Sequence, residues 1–320
     1  MTDQPDQPDS GLPVAPERRD PATFPPEKAA LYHGVQAALA ALPAYFEFDN
    51  AIGGIDATDL HNLNTLMGAA IEVQVVEALN GLRTVWDPDR QWTEYSFVRS
   101  AQAFPDVKLQ KRTATGTEVA LGIELKGWFL LAKEGEPSLR YKVAPAACEP
   151  WDLVCVVPWY LNNAVSGTAQ VTTPWVEQAR YAAEWRDYWW EHVRVPKNLA
   201  APRGVTAPQD AAPYPSKADL VSVIPDNGDP GNNFGRLPRC RPLMDAFLAD
   251  SLDHTVLGIP ARDWMTFLHI HSDNADPEAV ISRILNTKKR TKAEEKARLE
   301  VEAERLLALL RGIAAYDFDA

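Results

Sequence analysis

Hydrophobic and polar positions follow two different periods along this chain, and each change of period marks an element. EKAALYHGVQAALAAL reads as an Ala-rich helix. In DATDLHNLNTLMGAAIEVQVVEALNGL, the residues Leu66, Ala69, Ala70, Val73, Val76 and Leu79 recur at three- and four-residue spacing, which predicts an amphipathic helix, and Asn80–Gly81 supplies a stop. Strand-like stretches follow: TEYSFVRSAQAF, FPDVKLQ, VALGIELKGWFLLAKEG, RYKVAP and DLVCVVPWYL. The last is apolar enough to be a central strand covered on both faces. TPWVEQARYAAEWRDYWWEHV then reads as a helix crowded with aromatics, Pro202–Pro215 as a connector and KADLVSVIPDN as one more strand. GDPGNNFGRLPRCR reads as a loop, and the chain from about Arg241 as helices, the last long and charge-striped from Thr291 to Ala315. No internal repeat is visible. This order predicts an α/β domain with a central mixed β-sheet flanked by helices, followed by a helical C-terminal region. The expected boundaries are a disordered segment over 1–27, the α/β domain over 28–240 and the helical region over 241–320.

Composition narrows the class. With 320 residues, 46% of them hydrophobic, the chain can bury a large core. Residues 1–27 are rich in Pro, Asp and Gln, the source of the expected disorder, and they hold no apolar run of a secretory signal. No stretch reaches the roughly 18 apolar residues of a membrane span. Cys148, Cys155 and Cys240 form no CxxC pattern, which fits a reduced, cytoplasmic setting, and Cys155 lies in an apolar run as a small hydrophobe. The net charge of −12 argues against nonspecific coating of nucleic acid. An enzyme with a local basic surface is still allowed.

The chemistry-bearing residues converge on two consecutive strands. Asp106 follows Pro105 in FPDVKL, and Glu124 and Lys126 flank Leu125 in ALGIELKGW. Strand side chains alternate, so Glu124 and Lys126 share a face. A carboxylate and an ammonium inside such an apolar run carry a desolvation cost unless paired or holding a metal. Glu72 lies on the preceding predicted helix, four residues after Gly68. Over roughly residues 60–190 the sequence resembles the PD-(D/E)xK nuclease superfamily, the restriction-endonuclease-like fold. Pro105–Asp106 matches its PD element, Glu124-Leu125-Lys126 its ExK element, and Glu72 the acidic residue that its upstream helix often carries. The resemblance implies hydrolysis of DNA phosphodiester bonds with Mg²⁺, or Mn²⁺ in its place. Asp106, Glu124 and the Leu125 carbonyl would hold the ion, and Glu72 a second metal or a metal-bound water. Lys126 would orient or deprotonate the attacking water, or neutralise the transition state. It also implies 5′-phosphate and 3′-hydroxyl products and a role in restriction or phage defence. It further implies double-stranded DNA as the partner, a homodimer, a cognate methyltransferase or defence partner, and no membrane.

Other matches have plainer readings. Pro-Asp recurs at 5–6, 8–9, 88–89 and 225–226, and Glu294-Glu295-Lys296 repeats the ExK letters within a charge-striped helix. Glu124 and Lys126 could instead form a cross-strand ion pair on a half-exposed sheet. Asp89 reads as a turn residue, Lys108 as a strand-edge lysine on the Asp106 face, and His269 and His271 as side chains too poorly placed to share an ion. The cluster Lys288, Lys289, Arg290, Lys292, Lys296 and Arg298 reads as a DNA-backbone contact or a solvated face. Trp175, Tyr181, Trp185, Tyr188, Trp189 and Trp190 read as core or dimer interface, and Gln178, Arg180 and Tyr181 as residues that could approach the scissile phosphate. Asn232, Asn233, Arg236 and Arg239 in the Gly-rich loop are candidates for DNA contact, since Asn reads base edges and Arg guanine or phosphate. Two alternatives stand beside the nuclease: a catalytically silent nucleic-acid-binding or interaction subunit of a defence complex, and a repair or RNA-processing nuclease of the same fold.

Overall fold

The computed structural model describes residues 13–54, 63–100, 104–132, 137–193, 204–208, 211–215, 222 and 234–270, with isolated positions between 278 and 308. Its centre is a six-stranded mixed sheet. Strand β1 (Ser96–Arg99) pairs antiparallel with β2 (Val107–Thr113), and β2 with β3 (Gly116–Phe129). Ala114 and Thr115 turn the β2–β3 hairpin. β3 then pairs in parallel with β4 (Leu153–Leu161). The other edge of β4 is shared. Its first half takes β6 (Trp175–Gln178) and its second half β5 (Ala169–Val171), both antiparallel. The apolar run of β4 is buried along nearly its whole length, as expected of a strand covered on both faces.

Helices enclose this sheet. Helix α1 (Pro26–Ala40) buries Leu31, Val35 and Leu39 completely. Helix α2 (Leu63–Gly81) lies on the sheet face of Leu125 and Gly127, where a Cβ on Gly127 would meet Ile71 Cδ1 at 3.2 Å. Its inward stripe is Met67, Ile71, Val75 and Leu79. Of the expected apolar face, among the described side chains Leu79 belongs to that stripe, Ala70 and Val76 are half-buried against the core, and Ala69 and Val73 are exposed, while the Leu66 side chain lies outside the described residues. Apolar residues surround almost the whole helix, so spacing left its orientation to the packing. A short helix α3 (Arg83–Trp86) closes this layer. The opposite face carries Glu124, Lys126 and Trp128 by alternation. Helix α4 (Ala179–Tyr188) follows β6, and α5 (Arg241–Asp253) places Phe247 against Trp128 and Trp175.

Several expectations change. Residues 13–27, expected to be disordered, are largely exposed but anchored to the domain at several points; residues 1–12 lie outside the described residues. Arg18 pairs with Glu177, and Arg19 grips Glu184 at 2.7 and 3.1 Å. The Arg19 backbone exchanges two bonds with the Gln178 amide, and Phe24 is buried beside Tyr32 and Trp151. These partners lie far along the chain, so local composition could not announce them. The start of the predicted aromatic helix is strand β6, because Trp175–Gln178 completes the β4 edge, and β5 was not anticipated. Among the described residues RYKVAP joins no strand of the central sheet; it is extended and held by a bridge from Arg140 to Arg236 and by the Ser222 N–H, which donates to the Lys142 carbonyl at 2.7 Å. The region after 241 is not helical throughout: β7 (Thr255–Val256) and β8 (Ile259–Pro260) form a hairpin before α6 (Ala261–Ile270). Met244, Leu248 and Trp264 of this region join the same core as the sheet. Of KADLVSVIPDN only Ser222 is described, and nearly all of Thr291–Ala315 lies outside the described residues. Among the described residues no helix is long and apolar enough to cross a membrane.

Candidate active site

Register brings the three residues together. Val107 is the first β2 residue in the β2–β3 ladder and sits opposite Ile123, so Asp106 arrives beside Glu124. Just before it, after a cis Phe104–Pro105 peptide, Pro105 folds onto Gly122. A Cβ on Gly122 would lie 2.5 Å from Pro105 Cγ, so only glycine admits this approach. The Leu125 N–H, beyond the end of the ladder, donates to Asp106 Oδ2 at 2.8 Å. In a strand the N–H and C=O of one residue point to the same side, so the Leu125 carbonyl also faces Asp106. Lys126 Nζ lies 3.5 Å from Asp106 Oδ2 and donates to Glu124 Oε1. The lysine thus bridges both carboxylates in one cluster: the expected ion pair with Glu124 forms, and Asp106 joins it across the strands.

The cluster opens unevenly to solvent. The Asp106 and Lys126 side chains keep 22% and 24% of their exposure, and Glu124 keeps 11%. Burial, with the Asp106 charge adding to it, pushes the Glu124 carboxyl up to about 7 against the pull of Lys126. Burial works against the Lys126 ammonium, but Glu124 and Asp106 outweigh it and hold it above the usual lysine value. Tyr141 lies near enough to feel the Glu124 charge, and its hydroxyl donates to the Ala179 carbonyl at 3.0 Å, tying the first turn of α4 to this side of the sheet.

Other predicted residues fall elsewhere. Glu72, on the α2 side of the sheet, pairs with Arg99 of β1. Among the described residues no three His, Cys, Asp or Glu side chains gather to hold a metal ion, so Glu72 does not complete a three-carboxylate set with Asp106 and Glu124. Lys108 leans over the Tyr214 ring, 5.6 Å from its centroid. Gln178 serves the N-terminal segment, and Arg180 donates to the Cys148 carbonyl at 2.9 Å. Tyr181 accepts from Trp185 Nε1 at 2.6 Å and lies under Arg18. These three residues hold the fold around α4. Trp190 is buried, whereas Tyr181, Trp185 and Tyr188 form an edge-to-face ladder. Arg236 precedes and Arg239 ends a short 3₁₀ turn before α5, whose neighbour Gly235 accepts from Tyr141 N at 2.7 Å. Asn232, Asn233 and His271 lie outside the described residues, as does the His269 side chain.

Sequence reasoning missed Asp152 and Gly122. Asp152 is fully buried and accepts from Gly122 N at 2.6 Å, Glu149 N at 2.7 Å and Tyr214 Oη at 2.8 Å. It fixes the strand segment just before Glu124. Burial pushes it up to about 7, although each of those bonds favours the carboxylate. A glycine inside a strand was the available signal for Gly122. An acidic residue at the mouth of an apolar strand was the signal for Asp152.

The donor set fits a hard divalent cation. Mg²⁺ takes oxygen ligands, keeps several waters and is commonly held by one or two carboxylates with substrate phosphate. Asp106, Glu124 and the Leu125 carbonyl would hold it, and the Lys126 ammonium marks where positive charge is favourable. No family model matches the chain, and neither a curated protein nor a solved structure gives a significant match.

Proposed function

We propose that this chain is a divalent-metal-dependent endonuclease with a restriction-endonuclease-like core, hydrolysing DNA phosphodiester bonds in restriction or phage defence. The observation that carries this reading is the convergence of Asp106, Glu124 and Lys126 from two adjacent strands, with apolar β3 neighbours on either side. When bound, Mg²⁺ or Mn²⁺ supplies Lewis acidity toward the phosphoryl oxygen and acidifies water. The protein's part is positional. Asp106 is held by the Leu125 N–H and by Pro105 seated on Gly122, and Glu124 by burial. Lys126 presents an ammonium that orients the attacking water or offsets the negative charge growing on phosphorus. The low-dielectric surroundings strengthen each of these interactions. Arg236 and Arg239 are the described candidates for contact with duplex DNA, and a homodimer would suit cleavage of both strands.

The test is cleavage of supercoiled plasmid with Mg²⁺ or Mn²⁺. Wild type should cut, and Asp106→Asn, Glu124→Gln and Lys126→Ala should each lose about 100-fold or more. Equal activity in all four proteins would sink the reading. So would a folded wild type inert on DNA and RNA of varied sequence and methylation. A second reading, the trio as a structural ion-pair cluster in a catalytically silent subunit, is favoured by the pairing of Lys126 with both acids. That reading predicts the inert wild type.

A further inference from the structure

We infer that Lys126 is an internal competitor for the cation site, so that the two carboxylates rest paired with their own lysine and a divalent ion takes their shared point only as that ammonium withdraws from it. This rests on the metal-site reading above and adds a regulatory role for one of its residues. Asp106 and Glu124 come from neighbouring strands and face one point. Two like charges so placed repel each other, and burial of Glu124 denies them water as a screen. The Lys126 ammonium takes that point, within ion-pair distance of both acids. A dication bound to the same oxygens would stand beside that ammonium, where the two positive charges repel. Occupancy is therefore exclusive. The lysine has somewhere to go, because its four-carbon stem is flexible and its side chain keeps 24% exposure. Glu72 offers no alternative anchor, being engaged by Arg99 on the α2 side of the sheet.

It follows that Lys126 has two separable effects. It is needed for the reaction, and it weakens cation binding in the absence of DNA. The experiment is calorimetric titration of the full chain with MnCl₂, without DNA, comparing wild type, Lys126→Met and the Asp106→Asn/Lys126→Met double variant. Lys126→Met should bind Mn²⁺ about tenfold or more tightly than wild type. The double variant should lose that gain. Thermal melts in EDTA and in Mn²⁺ give a second readout: Lys126→Met should melt below wild type without metal and gain more from Mn²⁺ than wild type does. Lys126→Gln, which keeps a hydrogen-bond donor, serves the same comparison should the methionine variant not fold. Equal or weaker binding by Lys126→Met and Lys126→Gln overturns the competition while leaving the metal site standing. Absence of Mn²⁺ binding in wild type and in both folded single variants overturns the competition and the metal site together.

Discussion

Replacing Gly122 by alanine should disturb the candidate site without altering any group that does chemistry. The new methyl would lie 2.5 Å from Pro105 Cγ, and 3.1 Å from both Asp152 Oδ1 and Tyr214 Cε1. Carbon atoms rest about 3.5–4.0 Å apart, so Pro105 must retreat by about 1 Å or more. The proline is a ring in the backbone, joined directly to Asp106, and cannot yield as a flexible side chain would. Overpacking of this kind costs about 1–3 kcal/mol. At about 2–4 °C per kcal/mol for a sizeable domain, the melting temperature should fall by several degrees. Gly127→Ala provides the control, because its methyl would meet the movable tip of Ile71 at 3.2 Å and nothing else inside 3.7 Å. Calorimetric melts should therefore rank wild type and Gly127→Ala close together, with Gly122→Ala clearly lower. Plasmid cleavage at a temperature where all three are folded should be impaired most in Gly122→Ala, since Asp106 moves with Pro105. A Gly122→Ala protein that melts within a degree of wild type, or a Gly127→Ala protein that loses as much, would refute the close-approach reasoning.

Two further predictions concern the fold that supports the site. Asp152 is pushed up to about 7 in the fold, from about 4 in the unfolded chain. The native state thus binds more protons between those values. Its contribution to stability is complete below about pH 4 and is lost as pH rises through about 7. Glu124, also pushed up to about 7, acts in the same direction. Urea midpoints should fall from about pH 5 to about pH 7.5, and Asp152→Asn should be less stable but flatten that slope; an unchanged slope excludes Asp152 as a source. Arg186 is buried and donates to the Tyr141 and Val143 carbonyls, each at 2.8 Å, to Ser222 Oγ at 3.0 Å and to Asp187. Arg186→Met should destabilise by about 3–5 kcal/mol in chemical denaturation, and a loss under about 1 kcal/mol would show that these acceptors find other donors.

The sequence by itself determined the strands that matter. β2, β3 and β4 announce themselves by short apolar or alternating runs, and the turn at Ala114–Thr115 makes β2 and β3 neighbours. That adjacency, with the side-chain period of two, is enough to set Asp106 near Glu124 and Lys126, because it needs only local geometry. Tertiary structure decided what depends on distant partners. Which stripe of α2 faces the sheet followed from the fit of Ile71 at Gly127, and this left Glu72 with Arg99. Residues 13–27 are ordered by Glu177, Gln178 and Glu184, and Trp175–Gln178 is strand because the β4 edge was open to it. Burial that shifts Glu124 and Asp152, and the proline that needs Gly122, are likewise sums over neighbours remote in sequence. Periodicity reports the shape of one element, whereas the charge and orientation of a site are set by everything packed against it.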